Sequence, residues 1–388
     1  MKNTSLMFVL VFISLSIYSQ KTVLKNYESE ELQDVRNIKI HLPKNYEQDS
    51  TSNFPITFVL SSEKLYDLYV GNADFFTLTD RAPAQIIVGI NTSRTLYDDT
   101  NFDKETGELT ENSKSFYQFI KTELLPYIEV NYKTSPFISI VGEGVAGNFI
   151  THYLKEQTPI FNAYICVNPT FSSNIVSQIS SYSLDKYTHL DNTFFLYVSN
   201  SPFNSSEKNK NIFQLTNYLT SLNIKNFNYT YNHLKDSPSN LSAISEAIPR
   251  ALTDTFKLYA GISRNEFETN VKQLSPVDAI TYLENKYLNI EYLFGTNLGI
   301  RESDIFLIED IIINKENGDY LKDFGKMILS THPKSPIGNY YLGRYFESGK
   351  LYRNALKHYK IGYGKIDPSD PNAEKFYQNI ERLLTYNR

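Results

Sequence analysis

The sequence predicts an α/β fold built on a mostly parallel sheet, followed by an all-α region, and three observations carry that expectation. Seven short runs of β-branched and aromatic residues alternate with amphipathic helical stretches between Arg36 and about Gly261. Several of those runs lack the apolar–polar alternation of half-exposed strands, as strands covered on both faces do. Beyond Gly261 the strand pattern stops and only helical spacing remains.

In chain order, the expected strands are Ile38–Leu42, Ile56–Leu60, Ile86–Ile90, Ile138–Val141, Ala163–Val167, Phe194–Val198 and Phe227–Tyr231. Between them, Ser113 to Asn131 carries Phe116, Phe119, Ile120, Leu124, Tyr127 and Ile128 at helical spacing, Ile212 to Leu222 does likewise, and Ala243 to Tyr259 closes the unit. The later helices are Pro276–Tyr292, Ser303–Ile313 and Tyr320–Leu329, with further helix in the tail. Ahead of all this, Leu6 to Ile17 is apolar but too short to span a bilayer, follows a single lysine, and ends near the small Ser19. We therefore expect a secretory signal over 1–19, an α/β domain over 20–261 and a helical domain over 262–388. The expected location is periplasmic or extracellular. No cysteine follows the apolar stretch to take a lipid, and no later run reaches the ~18 apolar residues of a membrane span, so a soluble mature chain without a transmembrane anchor is expected.

Composition narrows the function. A formal charge of −5 and a pI near 5.8 give no broad basic surface, which argues against nucleic-acid binding by phosphate neutralisation and against anionic membranes. The single cysteine, Cys166, sits in a strand pattern and reads as a packed, inert thiol. Six scattered histidines show no metal-ligand spacing, and no phosphate-cradling glycine motif occurs, so neither a metal nor a cofactor is expected. Asp98, Asp99, Asp103, Glu105 and Glu108 form an acidic stretch that reads as a solvated loop.

The segment Ile138-Ser-Ile-Val-Gly-Glu-Gly-Val-Ala-Gly-Asn-Phe-Ile150 runs from a β-branched strand through a small-residue turn into a helix. That is the context of the G-x-S-x-G nucleophile elbow. Gly142 matches its first glycine, Gly144 stands at the serine and Ala146 at the last glycine. Glycine has no side chain with which to attack a carbonyl.

Several phrases, in order, resemble the esterase branch of the α/β-hydrolases that takes in esterase D-like, feruloyl-esterase and siderophore-esterase proteins. Ile38-Lys-Ile-His-Leu-Pro-Lys-Asn-Tyr46 is similar to that branch's opening strand and "LPxxY" turn, and Phe54-Pro-Ile-Thr-Phe-Val-Leu60 to its "YPVLYVLDG" strand. Ile87 to Arg94 resembles "IVVGIxNxxR", Phe119 to Glu129 resembles "FIxxELxPYIE", and Asn168-Pro-Thr-Phe171 stands where "SPSLW" is usual. The resemblance implies an α/β-hydrolase fold and places a catalytic acid after the Phe194–Val198 strand, then a histidine after the next strand.

At the first of those places the chain reads Ser199-Asn-Ser-Pro-Phe-Asn-Ser-Ser-Glu207, with Asn204 at the acid position and Glu207 the nearby carboxylate. At the second, Asp236-Ser237 aligns with a "DHGSV" phrase and puts Ser237 in the histidine's place, with His233 displaced toward the strand end. By the same resemblance, the Gly144 and Val145 N–H groups and the Leu60-Ser61-Ser62 loop flank a retained cleft that would bind a carbonyl or anion. Glu143 puts negative charge beside it.

In the tail, Leu342-Gly343-Arg-Tyr-Phe346, Ala355, Tyr359 and Pro368 fit the spacing of one tetratricopeptide repeat, read as a cap on the α/β unit rather than a peptide-binding groove. The expectation is an exported, catalytically degenerate esterase-like protein that acts by binding or scaffolding, its ligand or partner unspecified. The alternative is an active carboxylic-ester hydrolase with an unrecognised nucleophile, acting on acylated carbohydrate or siderophore-like substrates.

Overall fold

The computed structural model describes residues 21–44, 46–61, 63–91, 94–295, 298–316 and 318–386. The expected signal over 1–19 and the loop residue Ser62 lie outside the described residues. Eight strands form one sheet: β1 (Lys21–Ser29), β2 (Asp34–Leu42), β3 (Phe54–Ser61), β4 (Ile86–Asn91), β5 (Thr134–Glu143), β6 (Ala163–Val167), β7 (Phe194–Asn200) and β8 (Phe227–His233). Their order is β1-β2-β4-β3-β5-β6-β7-β8. β1 and β2 pair antiparallel, β2 meets β4 antiparallel, and every pairing from β4 across to β8 is parallel.

Side-chain alternation divides the sheet's two faces. Ile140, Tyr164, Cys166, Leu196 and Val198 enter one apolar cluster, and Val141, Ile165, Val167, Phe195 and Tyr197 enter the other. The first face is covered by α3 (Glu111–Gln118), which runs through a π-helical turn (Phe119–Leu124) into α4 (Leu125–Asn131), and by α7 (Ser206–Ser221). The second is covered by α1 (Glu63–Leu78) and α8 (Asn240–Thr255). Short helices α2 (Leu96–Thr100), α5 (Val145–Phe149) and α6 (Ile175–Ser181) lie in the connections. With both faces covered, the central strands read as continuous apolar runs, which is why the sequence revealed them.

Beside the short helices α2 and α6, β1 and α1 have no counterpart in the sequence expectation. β1 is an edge strand whose Leu24 is 73% exposed, so it lacks the apolar run that marks the inner strands. α1 buries Leu65, Tyr66, Tyr69 and Ala73 against the sheet, yet carries Gly71 and four acidic or amide residues that blur its apolar stripe. The acidic stretch also differs from a solvated loop. Asp99 is buried on α2 and its carboxylate accepts from Arg36 of β2 at 2.8 Å and from the Thr95 hydroxyl at 2.5 Å.

After a three-residue turn of helix, α9 (Arg264–Glu266), the chain is helical: α10 (Pro276–Phe294), α11 (Glu302–Glu316), α12 (Leu321–Thr331), α13 (Pro336–Ser348), α14 (Tyr352–Tyr363) and α15 (Ala373–Tyr386). The apolar cluster on the second face of the sheet continues without a break through Leu283, Ile290 and Phe294 to Ile312, Phe324 and Tyr341. Phe137 of β5 meets Phe294 of α10 at 4.9 Å between ring centroids, so the helical region shares its core with the sheet. At its far end a smaller cluster of Ala355, Tyr359, Phe376, Ile380 and Leu383 joins the last helices. None of the helices among the described residues is long and apolar enough to cross a membrane.

Candidate functional site

The chemistry expected of this fold belongs at the C-terminal ends of β5, β7 and β8. β5 ends at Glu143, and Gly144 turns the chain with φ 59° and ψ −119° into α5. Its flanking glycines are sterically required: a Cβ on Gly142 would stand 2.5 Å from the Ala146 carbonyl oxygen, and one on Gly147 would stand 2.8 Å from Pro169 Cβ. A Cβ on Gly144 would meet nothing within 4 Å. The sharp strand-to-helix turn is therefore present, and position 144 projects into open space. The sequence comparison placed the last glycine of the motif at Ala146, whereas the close packing of helix against neighbouring loop is made by Gly147, one residue on.

Backbone bonds hold the turn. The Gly144 N–H donates to the Val167 carbonyl at 3.2 Å, and the Thr170 N–H donates to the Gly144 carbonyl at 2.7 Å. The Gly144 N–H is thus engaged within the fold, and Val145 heads α5. Ser61 closes β3 in register with Asn91 of β4.

At the acid position the structure has a network of amides. Asn204 Nδ2 donates to Asn168 Oδ1 and to Asn200 Oδ1, each at 2.6 Å. Asn168 Nδ2 donates onward to Asn240 Oδ1 at 3.0 Å, its N–H donates to Ser199 Oγ at 3.0 Å, and Asn200 Nδ2 donates to the Tyr231 hydroxyl at 3.3 Å. Asn168 adopts φ 44°, a conformation asparagine tolerates better than most residues. The loops after β6, β7 and β8 are therefore joined by neutral groups that satisfy one another. Glu207 is exposed in the first turn of α7.

At the histidine position, Ser237 is buried and its hydroxyl donates to Glu246 of α8 at 2.6 Å. His233 ends β8 exposed, in register with Asn200, with its ring 6.1 Å from that of Phe213 on α7. The fold thus gathers Gly144 and Asn204 at one end of the sheet, and leaves Glu207 and His233 on the surface.

Sequence reasoning missed Asn168, Asn200, Asn240 and Lys208. The one signal for the amides was an asparagine at or just beyond the end of β6 and of β7, with Asn240 opening α8. Lys208 lies in the first turn of α7, where burial pushes its ammonium down to about 8 against the opposing pull of Glu143. Burial raises the Glu143 carboxyl, and Lys208 partly offsets the rise. Cys166 is fully buried and its thiol is pushed upward by burial.

Residues 29–196 match the model of the Esterase family, described as "Putative esterase". The match covers less than half of the chain and stops within β7, before the segments that would supply an acid and a histidine. Among solved structures, a protein from Capnocytophaga ochracea DSM 7271 described as uncharacterised superposes with a TM-score of 0.81 at 23% identity, covering 94% of this chain and 100% of that one. An IroE-like serine hydrolase from Shewanella oneidensis gives 0.57 at 20% identity over 80% of this chain and 98% of its own. The BES protein from Bacillus cereus gives 0.53 at 14% identity over 66% and 99%. No curated protein matches the sequence. The chain thus has an α/β-hydrolase-like fold whose residues 29–196 are similar to the Esterase family, followed by an all-α region.

Proposed function

We propose that this chain is an exported, catalytically degenerate relative of the esterase D, feruloyl-esterase and siderophore-esterase branch, and that it binds a ligand or partner instead of cleaving an ester. The observation that supports this most strongly is the pairing of a side-chain-free elbow with an amide network. Acyl transfer needs a nucleophile, a histidine to take its proton and a carboxylate to steady the imidazolium that forms. Gly144 supplies no nucleophile, and Asn204 offers a neutral amide whose two hydrogens are already bonded to Asn168 and Asn200. In working hydrolases, loss of a triad member costs several powers of ten, leaving only binding and oxyanion effects.

What persists is the sharp turn at Gly144, beside the end of β3, where position 144 opens on free space. We read the helical region as a tetratricopeptide-like cap, a reading supported by the core it shares with the sheet. Export rests on the apolar Leu6–Ile17 stretch. The test is direct: purified mature chain, offered p-nitrophenyl acetate and a serine-directed fluorophosphonate, is expected to show neither turnover nor labelling. Stoichiometric labelling of any serine would overturn the proposal.

A further inference from the structure

Where the chain passes from the α/β unit to the helical region, near Gly261, the two enclose a cavity of about 600 Å³. One wall comes from the α/β unit, with Phe76 on α1, Arg81 in the turn after it and Lys257 just past α8. The other comes from the helical region, with Glu266 of α9 and Tyr282 and Lys286 of α10. α8 opens with Asn240 bonded to Asn168 beyond the end of β6, and past its last turn Lys257 Nζ donates to Asn228 Oδ1 at 3.2 Å near the start of β8. The helix therefore runs back along the sheet, and the cavity lies at the edge opposite Gly144.

Three cations and one carboxylate line this space, a local excess of positive charge in a chain whose formal charge is −5. The carboxylate is already satisfied. Glu266 Oε1 accepts from the Tyr282 hydroxyl at 2.7 Å and from Lys286 Nζ at 3.1 Å, and Oε2 accepts from the Ser263 N–H at 3.3 Å. Asp80, next to Arg81 in the chain, is held by Arg301 at 3.0 Å. Asp254 acts on Lys257 through space, but it does not line the cavity and makes no ion pair with it within 4.0 Å. Among the described residues, Arg81 and Lys257 thus border the cavity without a carboxylate partner, and Lys257 touches only the Asn228 amide and, at 5.6 Å from its centroid, the Phe195 ring.

Single exposed cations are ordinary; two around one cavity whose only carboxylate is neutralised are a matched pair for a dianion. Arg81 is also placed by the backbone, since its N–H donates to the Phe76 carbonyl at 2.8 Å. Phe76 and Leu258, both half-buried, line the same space and supply apolar surface. The volume falls within the ~300–1,000 Å³ of small-molecule sites, which favour junctions between folded units, and far exceeds the ~30 Å³ that one water-sized ion fills. The occupant therefore carries an organic substituent.

We propose that this cavity binds a small phosphate monoester, its dianionic group held by Arg81 and Lys257 and its apolar substituent resting on Phe76 and Leu258. A guanidinium meets phosphate oxygens two at a time and an ammonium adds a point charge, so one of each suits a tetrahedral dianion. The site is separate from the turn at Gly144 and is independent of whether the chain cleaves esters.

The experiment is calorimetric titration of the full mature chain with phenyl phosphate, benzoate and inorganic phosphate, beside co-sedimentation with phosphatidylcholine vesicles containing phosphatidic acid. Phenyl phosphate is expected to bind saturably. Benzoate, with one charge less, and inorganic phosphate, with no apolar part, are each expected to bind about tenfold or more weakly, the scale of one charge-assisted contact or one buried apolar group. Arg81→Gln and Lys257→Met are each expected to weaken phenyl phosphate by about tenfold, whereas Lys257→Arg and Arg264→Gln, the latter an exposed cation outside the cavity, leave it unchanged. Urea midpoints should match the parent in all four variants, because these side chains are exposed. Lack of saturable phenyl phosphate binding, benzoate binding as tightly, or Arg264→Gln weakening it as much as Arg81→Gln would overturn the proposal. So would vesicle binding without phenyl phosphate binding, which would make the phosphate a lipid headgroup on a membrane surface.

Discussion

Asn204 Nδ2 donates to Asn168 Oδ1 at 2.6 Å, tying the loop after β7 to the turn after β6, whose preceding carbonyl, that of Val167, accepts from Gly144. One hydrogen bond thus links the position expected of an acid to the backbone of the elbow. Asn204 is thereby part of the scaffold that holds the two loops.

Asn204→Asp tests this. The substitution replaces an NH2 that serves two amide oxygens with a carboxylate that repels them, and relief requires Asn168 and Asn200 to turn over and lose their bonds to Asn240 and Tyr231. The expected cost is about 1–3 kcal/mol, the range for leaving buried polar groups unsatisfied. Urea denaturation midpoints measure it, and an unchanged or raised midpoint would show that the network is adaptable.

Gly144→Ser has room for its side chain but must hold a serine at φ 59°. Strain at such a conformation costs about 1–3 kcal/mol, so thermal stability should fall modestly with the fold intact. On the proposed reading no histidine–carboxylate pair stands ready to activate the new hydroxyl, so p-nitrophenyl acetate turnover should stay near that of the parent. A rise of about a hundredfold or more, the lower range of single general-base contributions, would show that working triad partners exist.

Gly343 of α13 faces Tyr359 of α14 so closely that a Cβ would stand 2.5 Å from the ring, and Ala355 beside it is fully buried. Ala355→Phe should overpack this helix pair at a cost of about 1–3 kcal/mol. Because the helical region shares its core with the sheet, calorimetry should show one transition that shifts as a whole. Two resolved transitions, with only one displaced, would instead make the tail an independent module.

His152, 1% exposed in the turn after α5, has its imidazole pushed down to about 3 by burial, with Lys155 adding to the shift and the Tyr182 hydroxyl 3.3 Å from Nδ1. Its folded-state value lies below the unfolded one of about 6.5, so the unfolded chain binds the proton first on acidification. The stability it contributes is complete above pH ~6.5 and is lost as pH falls from there toward about 3. Urea midpoints between neutral and acid pH should fall less steeply in His152→Phe than in the parent, and parallel profiles would sink this assignment.

The inner strands were legible because burial on both faces writes uninterrupted apolar runs into the chain, as in Ala163–Val167 and Phe194–Val198. The elbow was legible because its demands are local: Gly142 is fixed by the Ala146 backbone and Gly144 by its own positive φ. β1 was not, since an edge strand is stabilised by one neighbour and needs no apolar run. The amide network was invisible for a related reason. Asn168, Asn200, Asn204 and Asn240 are ordinary polar residues until parallel strand order brings the ends of β6, β7 and β8 side by side. Local sequence thus determined the inner strands, most of the longer helices and the glycine at position 144, while the packing of distant strand ends decided which polar groups would satisfy one another.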